Sequence, residues 1–297
     1  MFRQHPHQMS GIKAANHGRY CKIQAANKQV SYAKSYLCSM FFIDTHTHLY
    51  LNQFDADRGQ VVHRALDAGI SAMLLPNIDT DSIRPMLDLC TAFPGQCFPM
   101  IGLHPTSVGD DFEQQLATME VELSKGYAIA IGEIGIDLYW EQKFKDEQIN
   151  ALRTQLSWAL EYDLPVAIHT REAFPLILEE VEKAQNGKLR GVFHCFSGSS
   201  EEAERAVALG FYLGIGGVIT YKKTSLPDAI AKVPLDRILL ETDSPFLPPT
   251  PHRGKRNESV YLLEIATRLA EIKNLSISKI AEITSKNATQ LFNLPFE

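Results

Sequence analysis

The chain has 297 residues, 45% of them hydrophobic and 22% charged, with a formal net charge of −6. This composition is typical of a globular protein with a sizeable core, and no apolar run approaches the roughly 20 residues that span a bilayer. The five cysteines are never spaced as CxxC, which argues against a disulfide framework or a thiolate zinc site and fits a reducing, cytoplasmic location. The acidic balance excludes attraction of nucleic acid by the overall field, so such a ligand would require a local cationic cluster.

The first forty residues differ from the rest in charge and pattern. They contain six Lys or Arg and no Asp or Glu, a formal charge of +6 that leaves −12 for residues 41–297. They show no helical or strand periodicity, and no apolar stretch typical of a secretory signal. We therefore predict a basic, disordered N-terminal extension over residues 1–39 and a single domain over residues 40–297.

From Met40 onward, apolar runs alternate with helical patterns. The apolar runs predict eight strands, over residues 40–44, 70–77, 97–103, 128–135, 165–169, 190–196, 211–216 and 237–243. Helical spacing predicts helices over residues 57–68, 80–92, 112–124, 145–162, 258–273 and 276–291, with a further one around residues 174–181. The alternation implies parallel strands with right-handed crossovers, and eight units favour a closed barrel over an open sheet. The predicted fold class is α/β, a (β/α)8 TIM barrel.

Groups that can bind a divalent metal follow five of the predicted strands. They are His46, His48, Glu133, His169, His194 and Asp243. Each histidine alone is at least as often a structural residue, whereas Glu133 is a sharper signal because a buried carboxylate needs a cation or several donors. Asp243 is similar, although Asp before Ser-Pro can also begin a turn. The active sites of such barrels lie at the carboxyl ends of the strands, where all six fall. Six ligands exceed the need of one tetrahedral ion.

We therefore predict two divalent ions sharing a carboxylate. His46, His48 and Asp243 are assigned to one ion, His169 and His194 to the other, and Glu133 to both. Glu133 and Asp243 are the predicted catalytic residues, with Asp243 holding the attacking water or accepting its proton.

Several ordered motifs resemble the TatD family of metal-dependent deoxyribonucleases. They are DTHTHL at 44–49, GLHP at 102–105, GEIGID at 132–137, HTREA at 169–173, HCFSG at 194–198 and ETDSPFL at 241–247. The resemblance covers residues 41–297 and implies a barrel of the metallo-dependent hydrolase type, divalent ions and hydrolysis of DNA phosphodiesters. It carries metal roles onto the same six residues. Thr47 and Ser259 depart from the family pattern, but neither is a candidate ligand.

Further residues in the strand-end loops are candidates for contacts around the metal site. The predicted substrate-binding residues are Arg171, His104, Lys222, Lys223 and Arg253. The Lys and Arg side chains are included because clustered cations at this rim suit phosphate contact. His104, in the loop after the third strand, is predicted to contact substrate or a group behind the ligands. Glu241 is predicted to orient a ligand from behind. For Tyr139 and Trp140, packing in the core or at the rim is favoured over stacking on an unpaired base.

The predicted function is that of a divalent-metal-dependent deoxyribonuclease, an exonuclease acting on DNA ends or single strands. RNA remains open as a substrate. An amidohydrolase-type enzyme that cleaves C–N, lactone or small phosphoester bonds is the alternative, and a binding protein that kept the fold is a third class. Four histidines favour Zn or Mn, whereas the resemblance favours Mg. No membrane partner is expected, and the oligomeric state is left open, a monomer being compatible with the sequence.

Overall fold

A computed structural model describes residues 41–140 and 142–296. The predicted extension over residues 1–39 lies outside these residues and stays a prediction, as does Met40 of the predicted first strand. Eight parallel strands pair in chain order in one sheet. They are β1 (Phe42–Asp44), β2 (Ile70–Pro76), β3 (Cys97–Ile101), β4 (Ala130–Asp137), β5 (Val166–Arg171), β6 (Gly191–Phe193), β7 (Tyr212–Ile215) and β8 (Ile238–Leu240).

Nine helices accompany the strands in the described part of the chain. They are α1 (Arg58–Asp67), α2 (Ile83–Ala92), α3 (Phe112–Leu123), α4 (Lys145–Glu161), α5 (Phe174–Ala184), α6 (Ser200–Ala208), α7 (Leu226–Ala231), α8 (Leu262–Lys273) and α9 (Ile277–Phe292). The predicted (β/α)8 barrel is confirmed. None of these helices is both long and apolar enough to cross a membrane.

The element boundaries differ from the predicted ones in ways that matter for the site. β6 and β8 end earlier than predicted, so His194 and Asp243 lie just beyond their strands. β4 and β5 extend two residues further, to Asp137 and Arg171. The sequence pattern did not delimit α6 or α7. The buried residues of α6 are only alanines, and α7 is shorter than two turns.

The barrel closes at a seam between β8 and β1 through individual hydrogen bonds. The N–H of Thr45 donates to the carbonyl of Leu240 (3.1 Å), and the N–H of Asp243 donates to the carbonyl of His46 (2.9 Å). The buried Asp44 carboxylate takes part as well, in contact with residues after β8. This seam fixes the segment that carries His46 against the segment that carries Asp243.

Asp44 binds Thr242 at the centre of the seam. Its carboxylate accepts the N–H of Thr242 (2.9 Å) and the Thr242 hydroxyl (2.6 Å). Burial raises the pKa of Asp44 to about 7, against the opposing effect of hydrogen bonds from Thr242 and Ser259. The hydroxyl of Ser244 donates in turn to Thr242 Oγ1 (2.8 Å). The hydroxyl of Thr242 therefore bridges the side chains of Asp44 and Ser244.

An apolar cluster fills the end of the barrel opposite the candidate ligands. It joins strand residues to Ala288, Leu291 and Phe292 of α9. The strand residues are Ile43, Ala72, Leu74, Met100, Ala130, Ala167, Val192 and Leu239. Several of these precede a candidate ligand by two to four positions on the same segment. The polar groups therefore gather at the carboxyl ends of the strands, away from α9.

Thr242→Val should destabilise the barrel by about 1–3 kcal/mol, because it leaves the buried Asp44 and Ser244 each one hydrogen bond short without changing the side-chain volume much. The free energy of unfolding, measured by urea titration in the presence of a chelator, tests this. The matched control is Thr267→Val on the exposed face of α8, where the hydroxyl contacts only a helix carbonyl. Equal losses in the two variants would contradict a structural role for the seam contact.

Candidate metal centre

The carboxylate of Glu133 lies at the centre of the predicted ligands. Its Oε2 is 3.1 Å from His46 Nε2 and 3.5 Å from His48 Nε2. Its Oε1 is 3.0 Å from His169 Nδ1 and 2.8 Å from His194 Nε2. The two oxygens therefore face different pairs of the predicted histidine ligands, and these are the pairs assigned to the two ions.

Asp243 joins the first of these pairs. Its Oδ1 lies 3.5 Å from His48 Nε2 and 4.0 Å from His46 Nε2. The backbone of Asp243 has a φ of 58°, a left-handed conformation that Asp adopts more readily than most residues. Its side chain is 12% exposed, against 3% for that of Glu133. Asp243 is thus the carboxylate of the cluster that faces the opening of the site. All six predicted ligands are brought together.

Buried charge dominates the electrostatics of the cluster. Burial works to raise the pKa of Glu133, but His194, His104 and His46 hold it well below its usual value. Burial likewise works to lower the pKa of His194, and the carboxylates of Glu133 and Glu241 raise it well above normal. A buried carboxylate is costly unless positive charge compensates it. The centre is therefore a strongly negative position among imidazoles, a position suited to cations.

The outward-facing nitrogens of two histidines contact hydrogen-bond acceptors. His48 Nδ1 lies 3.0 Å from the hydroxyl of Tyr50, which donates its own proton to the carbonyl of Pro76 (2.7 Å). The hydroxyl oxygen must then accept from His48 Nδ1–H. His169 Nε2 lies 3.0 Å from Asp137 Oδ2, which is an acceptor. In both rings the outer nitrogen therefore carries a proton, and the inner nitrogen, which faces Glu133, is the one that can hold either a second proton or a metal ion.

Glu241 occupies the equivalent position behind His194. Its Oε1 lies 3.3 Å from His194 Nδ1 and accepts the backbone N–H of Cys195 (2.5 Å). Gly214 of β7 leaves room for this carboxylate, since a Cβ there would lie 2.2 Å from Glu241 Oε2. Glu241 lies beside His194, and its role in orienting that ring stays a prediction. The outer nitrogens Nδ1 of His46 and of His194 have no hydrogen-bond partner among the described residues, and Glu241 pairs with His194 by charge alone.

This donor set fits divalent metal ions. A ligating imidazole needs a lone pair toward the metal and commonly donates its other N–H to a carboxylate, carbonyl or hydroxyl. Two of the four predicted histidine ligands, His48 and His169, have a hydrogen-bond acceptor in that outer position, and His194 has the carboxylate of Glu241 3.3 Å away. Together with the two carboxylates they could hold ions at one or two positions around Glu133.

His104 also lies close to Glu133, with its Nε2 3.3 Å from Oε1. By distance alone His104, Glu133 and His169 could form a metal site. However, the backbone N–H of Thr106 donates to His104 Nδ1 (3.1 Å), which places the proton of a neutral ring on Nε2. A protonated nitrogen cannot ligate a metal. His104 is therefore a hydrogen-bond donor to the site, and its predicted contact with substrate stays a prediction.

Two residues that hold the histidines were missed by the sequence analysis. Asp137 could have been found, because it lies four positions after Glu133 on one strand and so shares its face. The predicted strand ended at Gly135, where a Cβ would lie 1.9 Å from the carbonyl oxygen of His169 and where β4 therefore approaches β5 closely. Tyr50 gives no signal beyond its place two residues after His48.

The predicted substrate-binding cations form two separate groups. Lys222, Lys223 and Arg253 line one surface pocket of about 410 Å³, together with Tyr221 and Thr224. The guanidinium of Arg253 lies 3.8 Å from the centre of the Tyr221 ring.

Arg171 is placed elsewhere, at the end of β5 and against two aromatic rings that follow β4. Its guanidinium carbon lies 3.9 Å from the centre of the Tyr139 ring and 5.2 Å from that of Trp140. Tyr139 is 50% exposed and Trp140 66% exposed. Packing of these two rings in the core, one of the roles favoured from the sequence, is wrong.

Known proteins match this chain over most of its length. The sequence pattern of the family described as TatD related DNase matches residues 43–293. YabD of Bacillus subtilis, an uncharacterized metal-dependent hydrolase, is 35% identical over 252 residues, which cover 84% of this chain and 98% of the relative. The 3'-5' ssDNA/RNA exonuclease TatD of Pectobacterium parmentieri is 32% identical over 260 residues, covering 84% of this chain and 99% of the relative. The crystal structure of YjjV, a TatD homologue from Escherichia coli, has a TM-score of 0.79 at 32% identity, covering 86% of this chain and 98% of that one.

The parallel barrel and the buried ligand cluster define a protein of the TIM-barrel metal-dependent hydrolase class. Within that class, the chain belongs to the TatD-related DNase family, as the motif resemblance predicted.

His48→Ala should lower the amount of divalent metal that co-purifies with the protein, whereas His104→Ala should leave it unchanged. The difference follows from the tautomers, since only His48 presents a lone pair to the site. Loss of a direct ligand should weaken metal affinity by more than the roughly 10–100-fold typical of outer residues. Elemental analysis and metal titration of both variants, with folding checked by circular dichroism, measure this. Equal metal loss in the two variants would show that His104 is a ligand.

Proposed function

We propose that the chain is a divalent-metal-dependent deoxyribonuclease, an exonuclease that hydrolyses phosphodiester bonds at DNA ends or in single strands. RNA is a second possible polymer for the same chemistry. The observation that carries the proposal is the position of the Glu133 carboxylate, whose two oxygens face two different pairs of predicted histidine ligands. That arrangement suits two ions sharing one carboxylate, the device that many phosphodiester-cleaving enzymes use.

The chain's own residues would hold two ions. His46, His48, Asp243 and Oε2 of Glu133 would hold one, while His169, His194 and Oε1 of Glu133 would hold the other. When bound, such ions polarise a phosphoryl oxygen and lower the pKa of a water molecule. The ring orientations of His48 and His169, held from behind by hydrogen bonds to Tyr50 and Asp137, would keep these ligands in place as substrate arrives.

The remaining steps are assigned to side chains at the opening of the site. Asp243 orients the attacking water and accepts its proton on a carboxylate oxygen, a role that its exposure supports. Glu133 is too buried for that task. His104 donates its Nε2–H to Glu133 and so keeps this carboxylate in position.

A nucleic-acid substrate is supported by the cations near the site and by one relative's function. Lys222, Lys223 and Arg253 offer a concentrated positive surface on an acidic protein, and phosphates of a polymer would meet it. The Pectobacterium relative is named as an exonuclease of single-stranded DNA and RNA.

The cysteines at 90, 97 and 195 are free, which supports the proposed cytoplasmic location.

The proposal is tested with metal-free protein reconstituted separately with Mg²⁺, Mn²⁺ and Zn²⁺. Each form is assayed on end-labelled single-stranded DNA, duplex DNA and RNA, and on simple amides and lactones. Stepwise shortening of DNA with at least one metal is the expected result. Hydrolysis of amides or lactones without any cleavage of nucleic acid would overturn the proposal in favour of an amidohydrolase.

Glu133→Gln should abolish hydrolysis and disperse the bound metal, because an amide removes the charge and one of the two shared ligand oxygens. We expect a loss in kcat/KM of more than about 100-fold, the upper end of the effects seen for outer residues. Rates and metal content are measured on the same preparation. The matched control is Glu180→Gln, which changes a glutamate of α5 that is only 3% exposed and is paired with Arg153. Activity retained in Glu133→Gln with normal metal content would contradict the shared-carboxylate assignment.

Arg253→Ala should weaken binding of single-stranded DNA and reduce its dependence on salt. If Arg253 neutralises one phosphate, the slope of log affinity against log salt concentration should fall by about 0.7. Binding is measured by fluorescence anisotropy over a range of salt concentrations. Lys232→Ala, an exposed cation at the end of α7, serves as the control for overall charge. An unchanged slope in Arg253→Ala would show that the pocket does not contact the strand.

A further inference from the structure

Two large aromatic side chains are exposed immediately after the strand that carries Glu133. The side chains of Tyr139 and Trp140 are 50% and 66% exposed, and their rings meet edge to face with centres 4.8 Å apart. Apolar area of this kind on one surface commonly marks a site of interaction. The pair lies where β4 ends, at the same end of the barrel as the metal-ligand candidates.

A single carboxylate fixes these rings relative to the metal centre. Asp137 Oδ1 accepts the backbone N–H of Tyr139 (3.0 Å) and of Trp140 (2.9 Å). Asp137 Oδ2 lies 3.0 Å from His169 Nε2. The turn that presents the aromatic rings and the imidazole that faces Glu133 are therefore held by the two oxygens of one side chain. The rings have a defined position beside the site.

Arg171 completes this surface from the neighbouring strand. It lies two residues after His169, and its guanidinium carbon is 3.9 Å from the centre of the Tyr139 ring. The backbone N–H of Leu138 donates to the carbonyl of Arg171 (3.0 Å), which ties the end of β5 to the aromatic turn. Among the described residues, the guanidinium contacts the two rings and has no ion-pair partner, and a stacked guanidinium keeps its N–H groups available for phosphate.

We propose that Tyr139, Trp140 and Arg171 form an aromatic platform, a subsite that stacks one unpaired base of the substrate strand while Arg171 contacts a phosphate. This inference rests on the proposed function and specifies its substrate. A base inside a duplex is already stacked on both faces, and removing it costs a few kcal/mol. The platform therefore selects strand ends and single strands. Because every base has a stacking face, this selection is independent of sequence.

Single-stranded nucleic acid is favoured over a protein partner by the chemistry around the rings. The platform combines flat aromatic surface with a guanidinium, which are the two components that bind bases and phosphates in single-strand grooves. It also adjoins Asp137 and His169, so a base stacked there would bring its own phosphate towards the centre. A peptide would have no such reason to bind beside the metal ligands.

The experiment compares two hydrolysis-resistant probes on the metal-loaded protein. One is a single-stranded phosphorothioate oligothymidylate, and the other is its abasic analogue with the same number of phosphates. Binding is measured by fluorescence anisotropy of a terminal dye. The platform predicts that the thymidylate probe binds about 5- to 150-fold more tightly than the abasic probe, the range expected for stacking of one base.

Substitutions assign that preference to the platform. Trp140→Ala and Tyr139→Ala should each bring the ratio of the two affinities towards one. Leu275→Ala, a change of an exposed apolar residue in the turn between α8 and α9, should keep the wild-type ratio. Trp140 and Trp158 are the only tryptophans of the chain, and Trp158 is buried. In Trp158→Phe protein, the emission of Trp140 should therefore change with the thymidylate probe and not with the abasic one.

Two results would overturn the platform: equal affinity of the wild-type protein for both probes, including no binding of either, or an unchanged ratio in Trp140→Ala. The proposed nuclease function is judged separately, by cleavage of natural oligonucleotides. Cleavage without a preference for the thymidylate probe would contradict the platform and support the nuclease function. A preference for that probe without cleavage of any nucleic acid would contradict the nuclease function and support a single-strand binding site.

Discussion

The contacts of the buried Glu133 carboxylate with the surrounding imidazoles are the interaction on which the carboxyl end of the barrel depends. Its two oxygens contact imidazoles that follow or end three other strands, so β1, β5 and β6 are all connected to β4 through one side chain. An anion in that position is stable only with positive charge around it. Protons on the histidines can supply the charge, and so can divalent ions at the same nitrogens, which makes the site a place where metal binding and barrel stability are coupled.

Around this centre, a second set of polar groups lies behind three of the imidazoles. Tyr50, Asp137 and Glu241 each contact the outer nitrogen of a different ring. The same logic separates His104, whose outer nitrogen receives an N–H and which therefore donates to the site. Proximity to Glu133 alone would not make this distinction. Ligand and donor are told apart by what lies behind each ring.

The sequence predicted the six candidate ligands because each follows an apolar run whose length and position identify a strand end. The sequence pattern did not identify features that depend on contacts between segments far apart in the chain or on the extent of a strand. Asp137 was missed because the predicted strand stopped at Gly135, and the exposure of Trp140 contradicts the general tendency of large apolar side chains to be buried. The separation of Arg171 from the pocket cations is a matter of tertiary arrangement. So is the contact of Asp44 with Thr242, which are 198 residues apart.

That long separation has a consequence for the newly made protein. His46 and His48 are synthesised early, but Asp243 and the residue that anchors its segment, Thr242, arrive almost two hundred residues later. Domains form on the ribosome as their residues emerge, and a barrel seam must wait for its last strand. A growing chain therefore carries histidines that cannot yet form the three-residue cluster with Asp243. The cluster of His46, His48 and Asp243 therefore forms only after the segment that carries Thr242 and Asp243 has been synthesised.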